Sequence, residues 1–237
     1  MPPELKPIYL FADSSLLFWR EDGLLFLDSI RNRIERPNPR AAYVGAANGD
    51  QPEYYEIFEA AMDAIGIAER RMILSSFPDS DRRSIGEADV ILLAGGDFER
   101  GWKTIKETGL SDIIARRYLE GVILIGVSAG AMHLGLAGWP EGGDGDLIES
   151  LGLVPFIVSA HDEKNEWEQL KLSVQRAGGL SVGLGIPSGA GAAYHADGSL
   201  EPIRRPLIEI SARGAASVER LLFPGVPRNV IESDAVN

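Results

Sequence analysis

The sequence predicts an α/β fold, a single domain over residues 1–237 in which a mainly parallel sheet is sandwiched by helices. Two observations carry this. Short apolar runs alternate with amphipathic stretches for most of the chain, the pattern of strands covered by helices on both faces. The runs are uniformly apolar, as in Asp89 to Ala94 (DVILLA) and Val122 to Val127 (VILIGV), and such strands are buried on both faces, as parallel strands are. With 237 residues, 45% of them apolar and 24% charged, the chain can also bury a core.

Taken in order, Pro7 to Phe11 (PIYLF) is the first apolar run, and Ser29 to Ile34 suits a helix ending before Pro37. Ala41 to Ala47 reads as a buried strand that ends in the polar loop 48–52. Glu53 to Ile65 carries apolar residues at Tyr54, Ile57, Phe58, Ala61, Met62 and Ile65, a helical stripe with Gly66 as its stop. The unit repeats. Arg71 to Leu74 is a strand, Asp81 to Ala88 a short helix, DVILLA a strand ending on Gly95-Gly96, Phe98 to Glu107 and Ser111 to Glu120 helices, and VILIGV a strand. Beyond about Gly135 the chain is richer in glycine and turns, with strand-like Leu153 to Ala160, a helix from Glu163 to Arg176, and apolar runs at Ser181 to Ile186, Gly191 to His195 and Pro206 to Ile210.

Composition narrows the chemistry. There is no cysteine, which removes disulfides, thiolate metal sites and a thiol nucleophile, and leaves serine as the default. The only histidines are His133, His161 and His195, too scattered to suggest a metal cluster, and no cofactor is expected. With 23 basic against 35 acidic side chains the net charge is −12, which disfavours nucleic acid and anionic membranes as partners. The first residues lack a basic segment followed by an apolar one, and no run approaches the roughly 20 apolar residues of a membrane span. A cytoplasmic protein is expected.

Gly126-Val127-Ser128-Ala129-Gly130 fits G-x-S-x-G, with a predicted strand running into it and a helical stretch, Ala129 to Leu136, behind it. So sharp a strand-to-helix turn exposes the serine at the carboxyl end of the sheet and needs small neighbours, because the backbone approaches itself there. The bland alternative is a chance match on a glycine-rich turn. For a base, His133 lies five residues beyond Ser128, about 140° around the helix axis, and reads as a packing residue. His195 precedes the turn Ala196-Asp197-Gly198. His161 ends the run LVPFIVSA, where a parallel strand would deliver it to the same carboxyl edge as Ser128; its alternative is a cap on the following helix. The Gly95-Gly96-Asp97 turn lets one of its N–H groups join that of Ala129 in an oxyanion hole.

The order LLAGGDFERGW, GVSAGAM, then VPFIVSAH about thirty residues later resembles the peptidase E and cyanophycinase family of serine peptidases, over about Ala41 to Pro187. The resemblance implies a fold like that of the class I glutamine amidotransferases, flavodoxin-like, with serine at the nucleophile elbow. It implies Ser128 as nucleophile, His161 as general base, Gly96 and Ala129 as oxyanion donors, and a dipeptidase-like hydrolase acting on a small peptide, such as an aspartyl dipeptide. Family members commonly carry an acid in the turn after the late strand, where this chain has Ile186-Pro187-Ser188-Gly189. Asp144, Asp146 or Asp162 is expected to supply the third triad member in its place, Asp144 being the one carried into the site, unless the chain has none. Gly95, Asp97, Ser188 and Arg204 are expected to line the substrate site. Arg204-Arg205, Arg100 and Lys103 are the candidates for meeting a substrate carboxylate, each equally suited to a solvated surface.

Two other readings remain. A catalytically weak or silent peptide-binding relative would account for Ser188, and the aromatics of Asp13 to Arg20 (DSSLLFWR) would then serve a pocket, a subunit contact such as a homodimer, or the core. An α/β-hydrolase esterase would instead use His195 as base.

Overall fold

The computed structural model describes residues 3–139, 146–178, 181–214, 216–225 and 228–229. Its strands are β1 (Ile8–Phe11), β2 (Arg40–Val44), β3 (Glu69–Ile73), β4 (Val90–Leu93), β5 (Ile123–Val127), β6 (Phe156–Ala160), β7 (Val182–Ile186), β8 (Gly191–Tyr194), β9 (Ser199–Ile203), β10 (Leu207–Arg213), β11 (Ala216–Leu222) and β12 (Arg228–Asn229). Two short two-stranded ribbons, Arg20–Glu21 with Leu24–Leu25 and Ala137–Gly138 with Ile148–Glu149, lie outside the main sheets. The helices are α1 (Phe26–Arg31), α2 (Pro52–Ala64), α3 (Asp79–Glu87), α4 (Phe98–Glu107), α5 (Leu110–Leu119), α6 (Ala129–Leu134) and α7 (Glu168–Arg176).

Among the described residues, eight strands form one sheet in the order β12-β9-β8-β1-β5-β4-β2-β3. The run β1-β5-β4-β2-β3 is parallel; β8, β9 and β12 extend it antiparallel. The uniformly apolar strands are its centre, and their side chains divide by parity. Ile91 and Leu93 pack in one core with Ile105 and Ile114, whereas Leu92 joins Phe58 and Met62 in the other. That division is why β4 shows no polar alternation. Helix α4 starts where Asp97 accepts the Arg100 N–H at 2.8 Å, an N-cap, and its Phe98, Trp102 and Ile105 are buried.

The sequence reading of one sheet is incomplete. Strands β6, β7, β10 and β11 form a second, four-stranded sheet, with β6 and β7 parallel and the rest antiparallel. Its Phe156, Val158 and Leu184 join the main core, and α7 covers its other face through Leu170 and Val174. The predicted helix 163–176 is also two pieces, a 3-10 turn at Glu163–Asn165 and then α7. Glu166 and Trp167 between them are left-handed, which turns buried Trp167 onto Gly185; a Cβ there would lie 2.7 Å from the indole.

The carboxyl ends of β1, β4 and β5 lead into Ala12-Asp13, Gly95-Gly96 and Ser128. In open α/β sheets that edge is where ligands gather.

Candidate active site

Ser128 follows β5 with φ 51° and ψ −114°, a conformation most residues avoid. It is held from both sides. Its N–H donates to the Phe11 carbonyl at 2.9 Å, and its own carbonyl accepts from Ala131 (2.9 Å) and Met132 (3.1 Å) as α6 begins. A Cβ on Gly126 would fall 2.6 Å from the Ala131 backbone, and one on Gly130 only 2.0 Å from the Leu93 carbonyl oxygen. The two glycines of G-x-S-x-G are therefore steric requirements of this turn.

His161 lies 2.8 Å from the serine, Nε2 to Oγ. It ends β6 in a left-handed conformation, φ 48°, its N–H given to the Ile186 carbonyl at 2.9 Å. The route differs from the expected one, since β6 belongs to the second sheet. The sheets are stitched together at the turn 187–190: the Ala12 N–H donates to the Ala190 carbonyl at 3.0 Å, and the Gly189 N–H donates to Asp13 Oδ2 at 2.6 Å. That seam brings the end of β6 over the end of β5.

The remaining predicted residues divide. Gly95 lies against the elbow, where a Cβ would meet that of Ser128 at 3.2 Å. Gly96, at φ 138°, packs on the Ala47 carbonyl, with 2.2 Å left for a Cβ. Among the described residues its N–H, unlike that of Asp97, is taken by no carbonyl. Asp97 caps α4 and borders the site. Ser188 gives its N–H to Glu163 Oε1 at 3.2 Å. Arg204 and Arg205 are drawn to the same turn, donating to the Gly189 (3.4 Å) and Ser188 (3.0 Å) carbonyls, and neither lines the cavities around Ser128. Asp144 lies outside the described residues. Asp146 is exposed, and Asp162 accepts from the Asn165 amide at 2.8 Å. His133 is 1% exposed and donates through Nε2 to the Phe98 carbonyl at 2.8 Å. His195 pairs with Glu201 at 3.2 Å and lines a different cavity, with Tyr9 and Asp28.

Ser128 and His161 stand between two cavities. The first, about 310 Å³, is walled by Leu17, Tyr43, Tyr54, Ile57 and Phe58, with Asp13 and Arg100 as its charged members. Burial pushes the Tyr43 hydroxyl up to about 12 against the lowering effect of its hydrogen bond with Asn48. The Arg100 guanidinium is fixed by donating to the Ala47 carbonyl. The second cavity, about 420 Å³, is bordered by Gly96, Ala129, Met132, Trp139, Asp162 and Gln169.

Two carboxylates not singled out from the sequence lie close enough to His161 to feel its charge. Burial pushes the Asp13 carboxyl up, but hydrogen bonds from Ser15 and Gly189, with His161 nearby, more than offset it and leave the group below its ordinary value. Glu163 is likewise lowered: hydrogen bonds from Ser188, with His161 nearby, outweigh desolvation. The position of Asp13 just past the first parallel strand was the available signal. Glu163 offered none, because its link to Ser188 spans 25 residues.

Comparison with known proteins decides the family. The sequence profile of peptidase family S51 matches residues 10–198. The chain belongs to peptidase family S51. Uncharacterized peptidase YgaJ of Bacillus subtilis (strain 168) is 33% identical to this S51 chain over 117 residues. That stretch is 48% of the chain and 51% of YgaJ, so the match spans about half of its curated relative. Among solved structures, a peptidase from an acI-B1 Actinobacterium superposes with a TM-score of 0.71 at 17% identity, covering 97% of this chain and 98% of that one. A candidate peptidase E protein from Listeria monocytogenes EGD-e gives 0.55 at 14%, covering 92% and 98%. At such identities the two structures speak for the fold, a mainly parallel α/β architecture of the peptidase E type.

Proposed function

We propose that this S51 member is a serine peptidase that cleaves short peptides through an acyl-enzyme on Ser128. The observation that carries the reading is the 2.8 Å contact between Ser128 Oγ and His161 Nε2, the pairing of a nucleophile with its general base. His161 takes the hydroxyl proton as Oγ attacks the scissile carbonyl, and returns it to the leaving amine. The N–H groups of Gly96 and Ala129 meet the oxyanion; losing one such donor typically costs about 10²–10³ in turnover. Water then enters and gives a proton to His161 as its oxygen attacks the acyl carbon, and His161 passes that proton to Ser128 Oγ as the acyl–enzyme bond breaks, which releases the acid and restores the serine.

The two cavities suit the two halves of a peptide, with the acyl side in the first and the leaving group in the second. Arg100 is the cation in the first cavity, which favours a substrate with an acidic side chain there and supports aspartyl dipeptides as substrates. Action in the cytoplasm, a single domain over 1–237 and assembly as a homodimer are part of this proposal and rest on sequence alone. One observation favours the silent-relative reading: among the described residues no carboxylate is hydrogen-bonded to His161 Nδ1.

The test is a fluorophosphonate probe together with a panel of Asp-X and β-aspartyl dipeptides, applied to the protein, Ser128→Ala and His161→Ala. Labelling and turnover that vanish in Ser128→Ala support the peptidase. Absence of both at every pH from 6 to 9 favours the silent relative.

A further inference from the structure

The turn that lacks an acid of its own has acquired two from elsewhere. The Ser188 N–H is given to Glu163 and the Gly189 N–H to Asp13, and both carboxylates lie within electrostatic reach of the His161 imidazole. They differ in what they have left to offer. Asp13 spends Oδ1 on the Ser15 N–H at 2.9 Å and Oδ2 on the Gly189 N–H at 2.6 Å. Glu163 accepts the Ser188 N–H on Oε1, and its Oε2 is buried with no hydrogen-bond partner. A buried carboxylate oxygen without a donor is costly, and native structures seldom keep one. The imidazole presents the matching deficit, with Nε2 engaged by Ser128 and no acceptor at Nδ1 among the described residues.

We propose that Glu163 is the positioning acid of this site: anchored through Oε1 on Ser188, it receives the His161 Nδ1–H on Oε2 and so leaves Nε2 free to accept the Ser128 proton. In this arrangement Ser188 serves as the anchor of the acid. The proton stays on Nδ1 throughout, and the carboxylate stabilises the imidazolium formed when Nε2 takes the serine proton. Charged groups around the ring are Glu163, Asp13 and the neighbouring Asp162, with Arg204 and Arg205 on the carbonyls of the same turn. Asp162 is the remaining rival, since its Oδ2 is also buried without a hydrogen-bond partner. Its other oxygen is held by Asn165, and it borders the second cavity.

This inference rests on the peptidase reading for its catalytic meaning, and the test separates the two. With only three histidines in the chain, the ¹⁵N resonances of His161 are assignable by comparison with His161→Ala. They report which ring nitrogen carries the proton at pH 9. Glu163→Gln, Asp13→Asn, Asp162→Asn and the double variant Glu163→Gln/Ser188→Glu are measured beside the unaltered protein, for tautomer and for the kcat and KM of dipeptide cleavage. The expected result is that Glu163→Gln moves the proton from Nδ1 to Nε2 and lowers kcat by about 10³–10⁴ with KM changed less than about threefold. Ser188→Glu in that background restores part of both, a rescue that a merely structural Glu163 would not allow. An unchanged tautomer in Glu163→Gln, or the same change in Asp13→Asn or Asp162→Asn instead, overturns the assignment. If the unaltered protein neither labels at Ser128 nor cleaves any peptide, the peptidase reading fails, while the tautomer measurement still decides the acid.

Discussion

Ser128 and His161 meet at 2.8 Å although their strands, β5 and β6, lie in different sheets. Their contact therefore depends on two local devices, the strained elbow that presents the serine and the seam at 187–190 that carries the end of β6 across to it. Both devices fail in predictable ways.

Gly130 and Gly96 have no room for a side chain. Alanine would place a Cβ 2.0 Å from the Leu93 carbonyl oxygen at position 130, and 2.2 Å from the Ala47 carbonyl oxygen at position 96. The obstacles are backbone atoms, of the strand end at Leu93 and of the 3-10 turn at Ala46–Asn48, which cannot swing aside as a side chain can. Each substitution is expected to destabilise the fold by about 3 kcal/mol or more. Gly152→Ala, at φ 61° but with nothing within 4 Å of the new Cβ, should cost only about 1 kcal/mol. Urea unfolding of the three variants checks the ranking; equal losses would show that the elbow has more slack than its geometry allows.

Buried His133 makes stability depend on pH. Burial pushes its imidazole down from 6.5 to about 4, against the raising effect of its bond to the Phe98 carbonyl. Above about pH 6.5 the group is neutral whether the chain is folded or not. Between about 6.5 and 4 the unfolded chain binds a proton that the folded one refuses, so stability falls as pH falls. The full loss is about 3 kcal/mol. His133→Leu should cost stability at pH 7, because Phe98 loses its donor, yet flatten the slope between pH 6.5 and 4. The measurement is urea unfolding across that range, and an unchanged slope in the variant would place the pH dependence elsewhere.

Arg100 is the test of substrate charge. It lines the first cavity without touching Ser128 or His161 through any hydrogen bond among the described residues. A hydrogen bond to a charged group is worth about 1.5–3 kcal/mol, so Arg100→Ala should raise KM for Asp-X dipeptides by about 10–100-fold. Neutral dipeptides should change little. A loss that is the same for acidic and neutral substrates would mean that the guanidinium acts through the Ala47 carbonyl it holds.

The parallel half of the fold was legible because β4 and β5 are short runs of unbroken apolarity, and the elbow because glycine, serine and alanine leave few other conformations. Phe98 to Glu107 was readable to the residue, since Asp97 caps it and Phe98, Trp102 and Ile105 share its buried face. The second sheet was not legible. Its outer strand β11 runs Ala-Ser-Val-Glu-Arg-Leu-Leu and is mostly exposed, so it carries no core pattern. Asp13 and Glu163 escaped notice for a different reason. They reach the site through hydrogen bonds spanning 176 and 25 residues, and no local pattern records such a closure. Ser188 read alone signalled a missing acid; beside Glu163 it is a point of attachment.

The proposed chemistry turns on activation of Ser128 by His161. Its most direct measurement is the rate at which a fluorophosphonate labels the serine in the unaltered protein and in His161→Ala, with Ser128→Ala as the blank. Labelling is expected to be confined to Ser128 and slowed by at least about 10³ when His161 is removed. Labelling that persists in Ser128→Ala, or that proceeds at the same rate without His161, would contradict it.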